Sequence, residues 1–179
     1  MSLTLATLLP GLLLLLIGVA LVSGHPVVRA SLLQLPRSTA ATFVFFTAGS
    51  AWFLYRVWHL SPADFGNYRT PLFIAFAAIA LLAFKYVPDF LAVRGLAILM
   101  LLAATPLLDA AFMEYEHPQR LLMVGLVYVG IALAIYLGAA PYRLRDFFGW
   151  LFRTPGRSRV LGACLLGYGV LLAITAFTY

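Results

Sequence analysis

Six apolar stretches of about twenty residues, parted by short polar connectors, constrain this chain more than anything else in it. The first, Leu3 to Val22, contains no charged side chain. At about 1.5 Å rise per residue, such a helix matches an ~30 Å hydrocarbon core. No Lys or Arg precedes it, and it is longer than the apolar centre of a signal peptide, so it reads as a retained helix. The Pro10-Gly11 pair predicts a kink or weak point in its first half. The other five stretches cover residues 39–58, 70–87, 90–113, 119–139 and 160–178. Between the third and fourth, Val87-Pro88-Asp89 must break the helix, which would otherwise run to about 60 Å, twice the bilayer core.

Composition agrees with that division. The chain is 64% apolar and 10% charged, against about 45–50% and about 25% in soluble domains. A water-soluble fold is excluded. The fold class expected is all-α: a polytopic integral membrane protein, one six-helix transmembrane bundle forming a single domain over residues 1–179. A net charge of +6 comes from basic residues dispersed in short connectors, which suits anionic lipid headgroups and not nucleic acid. The single cysteine, Cys164, leaves no intrachain disulfide and no multi-cysteine metal site.

The connector from Pro141 to Arg159 carries five of the twelve basic residues. Helical spacing over residues 141–154 gathers Leu144, Phe147, Phe148, Leu151 and Phe152 on one face. Arg145, Asp146, Gly149 and Arg153 fall opposite, with Arg143 and Trp150 at the boundary. This predicts an interfacial amphipathic helix between spans five and six, stopped by Pro155-Gly156. Arg143, Arg145, Trp150, Arg153 and Arg157 are its expected headgroup contacts. An unstructured connector is the alternative.

Six spans put both termini on one side. Connectors one, three and five hold nine basic residues, Arg29, Arg37, Lys85, Arg94 and the five just described; connectors two and four hold Arg56, Arg69 and Arg120. The positive-inside rule then predicts both termini outside the cytoplasm of a plasma (inner) membrane. Small-xxx-small spacings, Gly130-xxx-Ala134 in span five and Ala163-xxx-Gly167 in span six, predict close contact between those two helices.

Acidic and His residues concentrate on the outer side. His59 and Asp64 follow span two, and Asp109, Glu114, Glu116 and His117 close span four. Carboxylates and imidazoles on converging loops suit a divalent cation, proton exchange or a cationic substrate. His59, Asp109 and His117 are the candidate metal ligands, although the spacing matches no established ligand motif. The competing reading is solvated helix ends with local pairs such as Glu116 to Arg120, in which case no cofactor is needed. Lys85 and Asp89 are four residues apart and are expected to pair across the hairpin. Three function classes follow. An accessory or structural subunit acting through partner helices, a homo-oligomer or lipid is favoured, because no charge falls at mid-membrane. The alternatives are a small-solute or ion transporter, which would carry a polar or broken helix at the midplane, and a membrane enzyme using the outer cluster.

Overall fold

The computed structural model describes every residue except Asp64. All of its regular elements are helical. In chain order they are α1 (Leu3–Ser23), α2 (Pro26–Gln34), α3 (Thr39–Trp58), α4 (Arg69–Tyr86), α5 (Leu91–Ala111), α6 (Arg120–Ala139), α7 (Tyr142–Leu151) and α8 (Pro155–Ala176). Short 3₁₀ turns, Leu35–Arg37 and Gly66–Tyr68, lead into α3 and α4. Among the described residues, five helices are long and apolar enough to cross a membrane: Leu3–Ser23, Gly66–Tyr86, Leu91–Ala111, Arg120–Ala139 and Pro155–Ala176. α3 is as long, but its Thr, Ser, Gly and Arg residues make it less apolar than those five.

Local chemistry explains the helix ends. The Ser2 and Ser38 hydroxyls accept from the backbone N–H of Leu5 and Ala41, capping α1 and α3, which offsets the unpaired donors of a first turn. Pro26 and Pro155 open α2 and α8, where a missing N–H costs nothing. Gly24, at φ 61°, ends α1 in the left-handed conformation that glycine adopts without strain. Among the described residues, three non-glycines share that conformation, all between helices: Phe65, Phe90 and Met113. Pro10 and Pro106 lie inside α1 and α5, and neither ends its helix.

α5 is the centre of the bundle, with α3 on one flank and α6 on the other. Its small residues make this possible. Ala92 and Val93 are fully buried, and a Cβ added at Gly95 would strike the backbone of Phe46. Gly49 of α3 packs against Gly95 and Ile98, so α3 and α5 run parallel. Helix α4 lines α3 in the antiparallel sense, through ring contacts of Phe46 with Phe84, Phe53 with Phe76 and Trp58 with Phe73.

The closest helix contact joins α1 to α8. Gly11 lies against Gly169 and Leu172, and Gly18 against Gly162 and Leu166, so the two helices run antiparallel. The glycines recur every seven residues on both helices, which lets the backbones approach as small residues do in membrane helices. α6 and α8 touch only slightly. Ala163 and Gly167 are exposed, a Cβ at Gly167 would meet nothing within 4 Å, and one at Gly130 would meet only the Met100 tip. Ala134 is buried. The close contact of α8 is therefore with α1, through the other glycine face.

Candidate functional site

The two ends of the bundle differ in chemistry. At one end lie the start of α1, the ends of α3, α5 and α8, and the start of α6. Leu3, Ala6, Ala104, Ala111, Met123, Val127 and Leu172 form its apolar core. Above that core the polar groups bond within the protein. The buried Thr7 hydroxyl donates to the Tyr179 hydroxyl at 3.4 Å, and the Tyr179 ring meets His117 edge-on at 5.3 Å. Gln119 Nε2 donates to Thr178 Oγ1 at 3.2 Å. Arg120 donates to the Ala111 carbonyl at 2.6 Å and lies over the Tyr115 ring.

This end holds His59, Asp109, Glu114, Glu116 and His117, singled out in the sequence, but does not assemble them. His59 is exposed, packs on Tyr55 and donates from Nδ1 to the Tyr55 carbonyl at 2.8 Å. Asp109, Glu114 and Glu116 are exposed, and His117 is half-buried. Asp64 lies outside the described residues. Among the described residues no three of His, Cys, Asp and Glu come together as metal ligands, so His59, Asp109 and His117 do not form a shared set. Arg120 has an α5 carbonyl for a partner instead of Glu116. Its reach to an orphan carbonyl at a helix end is a charge-assisted hydrogen bond, stronger than an exposed ion pair.

At the opposite end the connectors that carry nine basic residues meet. α7 packs against α2, α6, α8 and the Leu35–Arg37 turn. Its Leu151 is buried and its Leu144, Phe148 and Phe152 are half-buried, while Phe147 and Trp150 stay exposed with their rings stacked. The apolar side of α7 is thus divided, one row towards the bundle and one away from it. Arg143 lies over the Tyr142 ring, and Arg153 is exposed. Arg145 pairs with Asp146 at 2.8 Å, the sole ion pair among the described residues. The guanidinium groups of Arg145 and Arg37 also stand 5.9 and 5.2 Å from the Phe90 ring. Arg157 donates to the Trp150 carbonyl at 3.1 Å and covers the indole at 4.6 Å, closing α7. Lys85 lies over Tyr86 and forms no ion pair with Asp89.

Two hollows accompany these ends. An apolar one of about 580 Å³, between α3 and α4, is lined by Ala51, Leu54, Tyr55, Trp58 and Phe73. A smaller one of about 110 Å³ lies at the basic end, where α1, α2 and α8 meet, and His25, Arg29 and Arg159 line it. His25 directly precedes Pro26 in the first connector and caps α2. The available signal was its spacing of four from Arg29, which places both on one face of α2. Of the hydroxyls inside the spans, Tyr168 donates to the Leu122 carbonyl at 3.0 Å, tying α8 to α6, whereas Tyr128 is exposed. Compared with protein-family models, curated proteins and solved structures, the chain matches none of them.

Proposed function

We propose that this chain is an accessory or structural subunit of the plasma (inner) membrane, working through partner helices and lipid. In this reading α3 is the sixth span, the protein crosses the membrane six times, and both termini lie on the non-cytoplasmic side. Support for the sixth span comes from packing: α3 runs beside α4 and α5 over its length, at the same depth as two helices apolar enough to cross. Support for the orientation comes from charge, because nine of twelve basic residues belong to connectors one, three and five. α7 then lies in the cytoplasmic interface, with Phe147 and Trp150 in the headgroup layer and Arg143, Arg153 and Arg157 near anionic lipid.

The observation that carries the subunit reading is α4. None of its residues is buried, and it packs chiefly against α3. Ile74, Ile79 and Leu81 expose about 60–73% of their surface. Helices in a membrane associate by packing and hydrogen bonding, since lipid chains are as apolar as Leu. A helix held so weakly by its own bundle suits recruitment by a second protein. Photo-crosslinkers at Ile74, Ile79 and Leu81, activated in native membranes, test this. A discrete protein adduct at one or more positions is expected; adducts to lipid alone at all three overturn it.

A further inference from the structure

We infer that the cavity between α1, α2 and α8 is a binding site for a phosphate group, taken from a phospholipid headgroup or from free phosphate. The observation is a hollow of about 110 Å³ whose polar lining is His25, Arg29, Ser158 and Arg159, with no carboxylate among its lining residues. One water needs only about 10–15 Å³ of such space, so a tetrahedral oxyanion has room.

The cations in it have no protein partner. Arg29 and Arg159 take part in no ion pair and no side-chain hydrogen bond among the described residues. Each guanidinium therefore keeps five donors for a ligand, in a fork that matches phosphate oxygens. His25 adds another. Its Nδ1 accepts from the Val27 N–H at 3.3 Å, so in the neutral ring the proton sits on Nε2, a free donor. The first turns of α2 and α8 border the same hollow, and their positive ends add to a field already set by the arginines.

The rest of the lining is apolar and includes Leu21 and Phe152. A phosphodiester whose glycerol side turns towards the membrane meets both parts of the wall. The level in the fold agrees, because the hollow lies where apolar α1 ends and apolar α8 begins. Acceptance of a lipid here rests on the membrane placement proposed above. The phosphate chemistry does not, since it can be measured in detergent whichever way the chain inserts.

The test uses the full-length protein in a neutral detergent, with thermal unfolding followed as phosphatidylglycerol, phosphatidylcholine or inorganic phosphate is added at constant ionic strength. Phosphatidylglycerol is expected to raise the midpoint, with phosphatidylcholine giving less. In R29Q/R159Q the apparent affinity should fall by roughly tenfold or more, as loss of charge-assisted hydrogen bonds implies. Both arginines are exposed, and each single variant serves if the pair does not fold. In R37Q/K85Q, which removes two exposed charges of the same end outside the cavity, the affinity should stay within a factor of two or so of the unaltered protein. If inorganic phosphate alone gives a response that R29Q/R159Q loses, the ligand is free phosphate. An equal phosphatidylglycerol response in R29Q/R159Q and the unaltered protein overturns the site, as does no response to either phosphate source.

Discussion

Replacing Gly18 with Ala should separate α1 from α8, and the cost can be worked from the local geometry. An added Cβ would lie 2.7 Å from Leu166 Cγ, 2.8 Å from the Gly162 carbonyl oxygen and 2.8 Å from the Leu166 nitrogen. Ordinary contacts begin near 3.4 Å. Two of the three atoms are backbone, so a side-chain rotation does not relieve the clash and α8 must move. Overpacking of this kind costs about 1–3 kcal/mol. Against it stands the gain of exchanging Gly for Ala in a helix, about 0.8–1 kcal/mol. Gly167→Ala supplies the reference, because its Cβ would enter open space on the other face of α8. Both variants receive the same helix-propensity gain, so their difference isolates the clash at about 1–3 kcal/mol. At about 2–4 °C per kcal/mol for a chain of this size, Gly18→Ala should melt roughly 2–12 °C below Gly167→Ala, read by helical circular dichroism in detergent. Adding Gly162→Ala to Gly18→Ala should cost less than the sum of the single changes, since the first already parts the helices. Equal midpoints for Gly18→Ala and Gly167→Ala would refute the glycine contact as the seam of the bundle.

Two further outcomes are expected. Tyr168→Phe removes a hydroxyl that ties α8 to α6 and should lower stability in detergent by about 0.6–1.7 kcal/mol; an unchanged midpoint would mean that the Leu122 carbonyl gains nothing from it. For orientation, a Gly156→Cys variant in a Cys164→Ser background should resist a membrane-impermeant thiol reagent in intact cells, while a Gly66→Cys variant reacts. Labelling at position 156 but not 66 reverses the proposed topology.

The helical class and the membrane-scale lengths were legible because they depend on composition and run length alone. So was the break at Val87-Pro88-Asp89, where the chain turns, whereas Pro155, expected to stop the interfacial helix ahead of a span beginning at residue 160, itself opens α8 because a first-turn Pro needs no N–H partner. Partner choice was not legible. A small-residue spacing marks a face that can pack closely but carries no address, so the four-residue spacing of Ala163 and Gly167 predicted a contact that the seven-residue spacing of Gly162 and Gly169 makes instead. What decides between them is which face of α8 meets the glycine face of α1, a contact between opposite ends of the chain. Side-chain polar contacts were hidden for a related reason. Arg120 has Glu116 as a sequence neighbour, yet the carbonyl of Ala111, at the end of another helix, is its partner. The cavity of Arg29 and Arg159 was equally out of reach, because it joins the neighbouring α1 and α2 to α8, which is distant from them in sequence.

The pairing of α1 with α8 has a consequence in time. α1 is the earliest helix of the described chain to leave the ribosome, and α8 the last. The stretch between Ser23 and Pro155 takes on the order of ten seconds to make at about 5–20 residues per second. Throughout that interval the Gly11–Gly18 face of α1 lacks its partner while α3, α5 and α6 can already assemble. Emergence of α8 then closes the bundle like a clasp. Chains halted before α8 would carry an open glycine seam even when their remaining helices are in place.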